Sequence, residues 1–355
     1  MIYLELIDKS NEKILEEYEQ FASKHGYYTQ SLKWKNVKTN WDWDAVISRG
    51  EDGKIRAVCT VLIRRAPVLR SALLYAPHGF VCGLESEEVF LDLFEGVKKL
   101  AKKYKAYQFM FDPHITEEEV PAFIKAAGFK HKENAPRNET IQVRENYLLT
   151  LSGKTPEEVF NAFNTKYRNQ IRKATKEGVY CKPYGTEALD DFYEVMTATG
   201  IRDGITIRSK DYYAKVINSF DPEQCRLFMC YIEEDGKKIP LAGAIAIRYG
   251  TKTVFSYAGS ADHHRNLYPN YLMQWVMIQW AFEGGSEVYD FGGIPYYWDE
   301  NNRASGVYKF KKGFSGEIVT YAGEFSYNFK PVSAKLLDVG RRLYTQAIKK
   351  FGKKH

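Results

Sequence analysis

Asp52-Gly53-Lys54-Ile55 runs into Ala57-Val58-Cys59-Thr60-Val61-Leu62-Ile63-Arg64. The same phrase returns as Asp235-Gly236-Lys237-Lys238-Ile239 followed by Ala242-Gly243-Ala244-Ile245-Ala246-Ile247-Arg248, with one extra residue in the turn. Each copy predicts a tight turn feeding a β-branched strand. Downstream, each half carries a helical pattern (residues 89–104 and 271–282), then a short aromatic strand closing on an acid, Asp112 or Asp290, then a Gly-Phe pair, Gly128-Phe129 or Gly313-Phe314. Similar marks in the same order predict a duplicated α/β unit rather than two unrelated domains. The expected boundary is residues 152–156, where a strand over 146–151 stops and a helix begins. That assigns 1–151 to a first domain and 152–317 to a second. Residues 318–355, with a helix over 331–351, are expected to pack back on the first.

Bulk properties agree with two domains. A chain of 355 residues with 44% apolar residues exceeds one comfortable core. Its longest apolar stretch, residues 241–247, is far too short for a bilayer, and residues 1–13 carry acids rather than a basic, apolar leader, so the expected location is cytoplasmic. Five cysteines, an odd count without a CxxC pair, argue against a disulfide framework or a structural zinc site. The net charge of +6 concentrates at 164–182, 303–312 and the C-terminus, which suits anionic partners, although proteins that bind no anion reach the same value. The 26 tyrosines offer flat faces with polar tips for sugars, bases or peptides. A tyrosine-rich core satisfies that composition equally.

One helix is expected from Thr155 to Gly178, with Thr155 as N-cap, Pro156 in the first turn and Glu158 closing a capping box. Phe160, Phe163, Tyr167, Ile171 and Ala174 fall on one side at helical spacing. Arg168, Arg172 and Lys176 form an i, i+4 ladder opposite, with Lys173 and Lys166 nearby. This stripe reads either as a solvated face or as a seat for a phosphate-rich partner.

Several chemistries are excluded by motif. The chain has no GxxxxGK phosphate loop, GxSxG elbow, HExxH helix or GxGxxG between strand and helix. His263-His264 has no third ligand spaced nearby, so no metal is expected. The order of strands, helix and acid-ending strand is similar to acyltransferase domains of the GNAT type. Such domains hold the coenzyme A pyrophosphate on N–H groups of a glycine-rich turn entering a helix. Here the matching segment is Arg265-Asn266-Leu267-Tyr268-Pro269-Asn270; it lacks glycine, and Pro269 removes a donor. The reading is an acyl donor other than coenzyme A, and no cofactor.

Tyr289-Asp290-Phe291-Gly292-Gly293-Ile294 and the run from Gly306-Val307-Tyr308-Lys309-Phe310-Lys311-Lys312-Gly313-Phe314 to Ser315-Gly316-Glu317 resemble the C-terminal hallmark of the Fem family. Tyr167-Arg168-Asn169-Gln170-Ile171-Arg172-Lys173-Ala174, Arg202-Asp203-Gly204 with Arg208, and Pro269-Asn270-Tyr271-Leu272 add to the resemblance. These enzymes build the interpeptide bridges of peptidoglycan. The resemblance implies an α/β (mixed α+β) chain of two tandem GNAT-like domains, aminoacyl-tRNA as donor, and a UDP-linked or lipid-linked muramyl pentapeptide as acceptor. With a lipid-linked acceptor it implies peripheral contact with the inner face of the membrane, and it implies no DNA. No heptads are sustained, and residues 211–234 pass from helix to strand without room for a coiled-coil arm, so the compact form is expected.

Carried over by motif, Lys38 and Arg208 are expected to hold the precursor's phosphates. Tyr107, Asp112, Tyr212 and Tyr257 are expected to line the acceptor cleft, and Phe310 and Lys311 to stand at the reaction centre. Arg168, Arg172, Lys173 and Lys176 become candidates for tRNA contact. Other roles stay open: Asp112 precedes Pro113 and can cap a turn, and Lys309 and Lys312 flank Lys311. Aminolysis of a tRNA ester needs alignment, removal of an ammonium proton and stabilisation of negative oxygen. Lys311 is expected to donate to that oxygen and Asp112 to position the amine, while no general base stands out. Two rivals are an acyl-CoA-dependent N-acyltransferase and a catalytically idle binding protein, whose mark would be loss of the Phe310-Lys311 pair.

Overall fold

A computed structural model describes residues 3–66, 70–133 and 140–337. In chain order the first elements are β1 (Tyr3–Leu6), α1 (Glu12–His25), β2 (Asp42–Arg49), β3 (Ile55–Ala66), β4 (Ser71–Pro77), α2 (Glu87–Tyr104), β5 (Ala106–Asp112), α3 (Ala122–Ala126) and β6 (Lys130–His131). There follow β7 (Glu145–Thr150), α4 (Pro156–Ala162), α5 (Thr165–Lys176), β8 (Tyr180–Tyr184), α6 (Leu189–Asp203), α7 (Lys210–Ser219), β9 (Cys225–Glu234), β10 (Lys237–Tyr249) and β11 (Lys252–Ser260). The last are α8 (Pro269–Glu283), β12 (Val288–Gly293), α9 (Ser305–Lys311), β13 (Glu317–Thr320) and β14 (Phe325–Asn328). They form two compact units, one from Met1–Ala22, Lys38–Ile141 and the chain from Ala322, the other from Ser23–Val37 and Gln142–Tyr321.

Each unit holds a seven-stranded sheet. The first has the order β1-β2-β3-β4-β5-β14-β6 and the second β8-β9-β10-β11-β12-β7-β13. In both, every neighbouring pair is antiparallel except the fourth with the fifth, β4 with β5 and β11 with β12. A parallel pair needs a crossover, and α2 and α8 supply it. The apolar spacing of α2 buries Val89, Phe90, Leu93, Phe94, Val97 and Leu100. Gly96 lets that helix approach the sheet, since a Cβ there would lie 2.2 Å from Val46. In the second unit α8 buries Leu272, Met273, Met277, Ile278 and Ala281.

The sixth strand of each sheet comes from the other end of the connectivity. After β6, the chain contributes β7 to the second sheet instead of returning beside β5; after β13, it contributes β14 to the first. This exchange moves the boundaries expected from sequence. β7 precedes residue 152 but pairs with β12 and β13, so the second unit starts at Gln142. β13, expected with the first half beyond Ile318, pairs with β7, and the first unit resumes only at Ala322.

Two further differences are local. The helix expected from Thr155 to Gly178 is two helices. The capping box of Thr155 and Glu158 is present, but Phe163 turns extended (ψ 150°), and the Asn164 side chain caps α5 by accepting from the Lys166 N–H. The Asn164 N–H donates to the Gly313 carbonyl at 2.9 Å, a bond a continuous helix would not allow. Of the helix expected over 331–351, residues 331–337 are helical and the remainder lies outside the described residues.

The exchanged strand is part of the first core. Phe325 is 2% exposed and stacks between Phe111 (centroids 5.1 Å) and His131 (4.2 Å). Phe325→Ala is expected to cost the first unit about 3–5 kcal/mol in urea unfolding, the range for truncating a core phenylalanine. A loss below about 1 kcal/mol would contradict the role of β14 as a core strand.

Candidate active site

The repeat places one buried acid on the fifth strand of each sheet, at the last residue of β5 and inside β12, which runs on to Gly293. In the first unit this is Asp112, 5% exposed. The Tyr75 hydroxyl donates to its Oδ2 at 2.6 Å and the His78 N–H to its Oδ1 at 2.7 Å. Burial pushes its carboxyl up to about 7 against the pull of those two donors, and the charge of Glu324 acts in the same direction as burial. Glu324, itself 2% exposed, arrives with the exchanged strand and forms an ion pair with Lys132. Lys38, half-buried before β2, and Tyr107, half-buried on β5, belong to this unit as well.

In the second unit the acid is Asp290, fully buried. The parallel pairing of β11 with β12 stops at Val254 opposite Asp290, although both strands continue. Just past that point Lys311, 4% exposed, donates from Nζ to the carbonyls of Gly292 (3.1 Å) and Gly293 (2.9 Å). An ammonium has three donors, so one remains beyond these two bonds. Burial lowers Lys311 to about 8, with the charge of Asp290 opposing. Burial raises Asp290, opposed by the Gly292 N–H and by Lys252 and Lys311. Of the three neighbouring lysines, Lys309 and Lys312 are exposed and Lys311 alone points inward. Phe310 packs against Tyr167, Tyr271 and Phe314, fixing α9 on α5 and α8.

A tyrosine network stands beside this group. The Tyr212 and Tyr257 hydroxyls lie 3.0 Å apart, and Tyr213 packs on Tyr257. The Arg208 guanidinium sits 5.4 Å from the Tyr212 ring, and the Arg208 N–H donates to the Tyr213 hydroxyl. Tyr28 belongs to the same surroundings: its hydroxyl is 3.4 Å from Ser256 Oγ, next to Tyr257 on β11, and the charge of Asp290 acts on it. The structure therefore gathers Arg208, Tyr212, Tyr257 and Lys311 within one unit. The basic residues of α5 lie elsewhere on its surface: Arg172, Lys173 and Lys176 are exposed, while Arg168 is half-buried and donates to Thr165. Arg172 lies over Phe160 and Lys173 over Tyr268.

Sequence reasoning singled out neither Tyr27, Tyr28, Asn146 and Lys252 nor Tyr75, His78 and Glu324. Asp290 was legible only as the echo of Asp112, without a role. The turn entering α8 is closed on itself. The N–H groups of Leu267, Tyr268 and Tyr271 donate to His264, Arg265 and Tyr268 carbonyls, and Pro269 has none to give. Few donors are left there for a pyrophosphate.

Two such sheets in tandem, each with a single parallel crossover, define a duplicated acyltransferase fold of the GNAT type. A tandem GNAT protein from the clavulanic acid biosynthesis pathway shares that fold, with a TM-score of 0.55, 9% identity and coverage of 92% of this chain and 98% of that one. The sequence profile of the FemAB family matches residues 14–233 and 223–341. This chain belongs to the FemAB family. The crystal structure of FemX superposes with a TM-score of 0.86 at 25% identity, covering 94% of this chain and 99% of that one. The lipid II:glycine glycyltransferase of Staphylococcus haemolyticus (strain JCSC1435) is 26% identical over 96% of this chain and 97% of its own length. The protein of that name from Staphylococcus aureus is also 26% identical, with the same coverage. The first of these alignments runs over 409 positions, more than the 355 residues here, so the relative carries stretches this chain lacks. Between α7 and β9 lie only residues 220–224, with no arm inserted.

The elevated carboxyl of Asp112 has a consequence for stability. The native state binds its proton more tightly than the unfolded chain, whose aspartates titrate near ~3.9. The contribution of Asp112 is therefore greatest below the unfolded value and declines as pH rises through about 7. Asp112→Asn, which keeps an acceptor for Tyr75, is expected to flatten the fall in melting temperature between about pH 4 and about pH 7, the window between the two values. An unaltered pH slope would contradict the burial argument.

Proposed function

We propose that this protein transfers an aminoacyl group from aminoacyl-tRNA to an amine of the stem peptide of a peptidoglycan precursor, lipid-linked or UDP-linked. The observation that carries this reading is the buried Lys311, fixed on two carbonyls at a strand end of an acyltransferase unit whose coenzyme A turn is closed on itself. The names of the staphylococcal relatives support glycyl transfer onto lipid II as the class of reaction. A lipid-linked acceptor would bring the protein to the membrane's inner face. Among the described residues no helix is long and apolar enough to cross a membrane.

In this reading the acceptor amine attacks the ester carbonyl of the charged tRNA. The new C–N bond forms, the ester C–O bond breaks, and the ribose oxygen leaves as a hydroxyl. The remaining donor of Lys311 stabilises the developing negative oxygen, and its value of about 8 keeps most of it charged at neutral pH. For Asp112, in the first unit, the proposed role is to position the amine, whose ammonium proton is lost to solvent before attack. In the second unit Arg208 holds phosphate of the precursor beside Tyr212 and Tyr257, which line the acceptor, and Arg168, Arg172, Lys173 and Lys176 on α5 meet phosphates of the tRNA; in the first unit Lys38 is the proposed phosphate holder and Tyr107 the proposed acceptor-lining residue.

Purified protein offered a panel of charged tRNAs with each precursor should add one aminoacyl mass to the pentapeptide. Lys311→Ala should lower kcat by roughly 10² to 10³ while leaving acceptor KM near its starting value. Lys38→Ala and Arg208→Ala should instead raise acceptor KM roughly tenfold or more, about 1.4 kcal/mol. Labelled acetyl-CoA should leave the peptide unmodified. Full turnover by Lys311→Ala, or acetyl transfer from coenzyme A, would sink the reading.

A further inference from the structure

Asp290 is a carboxylate with no solvent contact, and two lysines share its surroundings: Lys311 from α9 and Lys252 from β11. A buried charge persists only when it is paired and hydrogen-bonded. Asp290 Oδ1 accepts the Gly292 N–H at 2.7 Å, a local bond within the last residues of β12, where its register with β7 shifts. Gly292 takes φ +75°, a left-handed conformation that an L side chain rarely adopts, and a Cβ there would lie 4.0 Å from Lys311 Nζ. That conformation aims two successive carbonyls, Gly292 and Gly293, at one ammonium. Asn146, from the exchanged strand β7, faces both Asp290 oxygens from the other side at 3.4 Å.

We propose that Asp290 is a positioning residue for Lys311, holding the two-carbonyl seat in place through Gly292 and supplying the counter-charge to the ammonium in that seat. The proposal deepens, and rests on, the reading of Lys311 as the donor to the developing oxyanion. The division of labour follows from the geometry. The carbonyl oxygens fix where Nζ sits but carry only partial charge; the carboxylate of Asp290, two residues before Gly292 on β12, supplies the full charge without occupying the third donor. The other titratable groups facing Asp290 are Lys252, whose Nζ donates to the Tyr321 hydroxyl at 3.3 Å, and the phenols of Tyr27, Tyr28 and Tyr289. Burial pushes all three phenols up, so they stay neutral at working pH and leave Lys252 and Lys311 as the cations that Asp290 balances.

The test uses the full chain and Asp290→Asn, which keeps an acceptor for the Gly292 N–H and removes the charge. With charged tRNA and precursor, kcat at pH 7.5 should fall about threefold or more, with both KM values within twofold. The alkaline limb of the kcat profile should move to lower pH by a unit or more, because loss of the anion favours the free amine. Independently of turnover, the rate at which trinitrobenzenesulfonate labels Lys311, read by peptide mass spectrometry at pH 7.5, should rise several-fold. Gly292→Ala, which keeps the charge but strains the seat, should lower kcat with the limb unmoved. An unshifted limb with unchanged labelling in Asp290→Asn would overturn the counter-charge, and full kcat in Gly292→Ala would overturn the seat. Full turnover in Lys311→Ala would instead remove the donor role, while the labelling profile still decides whether Asp290 governs Lys311. Should Asp290→Asn fail to fold, as judged by circular dichroism, Gly292→Ala decides alone.

Discussion

The second unit is organised around an ammonium held away from water by two main-chain carbonyls. Taking a lysine out of solvent disfavours its charged form, and the unit answers with Asp290 on β12 and with carbonyls aimed by a left-handed glycine. Each of these features depends on the others. The bend at Gly292 requires the Asp290 acceptor, the seat requires the bend, and α9 reaches the seat because Phe310 and Phe314 lock it to Tyr167 and Tyr271. A mobile surface lysine such as Lys309 or Lys312 has none of this support, and that separates Lys311 from its neighbours.

Duplication explains why an acid stands on the fifth strand of each sheet, and their surroundings explain why they differ. Asp112 is met by a phenol and a backbone N–H, donors that leave it without a fixed cation and close to neutral pH in its titration. Asp290 accepts the Gly292 N–H, and the charges of Lys252 and Lys311 oppose the burial that raises it. The exchanged strands contribute to both, since β14 is entered through Glu324 beside Asp112 and β7 brings Asn146 to Asp290.

Much of this was legible in the chain. The repeated turn-and-strand phrase, the crossover helices, the capping box at Thr155 and the acids at 112 and 290 mark local structure with local signals. The strand exchange was not, because β7 and β14 read as ordinary strands and the partner of a strand is a non-local choice. The break at Asn164 was hidden by apolar spacing that continues across it, and only the carbonyl of Gly313 reveals why the helix stops. Among Lys309, Lys311 and Lys312, charge and spacing alone do not say which turns inward. Lys252, Tyr27 and Tyr28 join the site from strands and loops far along the chain, and no short motif announces them.

The claim on which the rest stands is that Lys311 is a buried, counter-charged ammonium rather than a surface one. Its titration can be followed directly by heteronuclear NMR on lysine-labelled protein, with Lys311→Arg used to assign its resonance. The account predicts a midpoint near pH 8, well below the surface lysines. A midpoint with the surface lysines, near ~10.4, would contradict it.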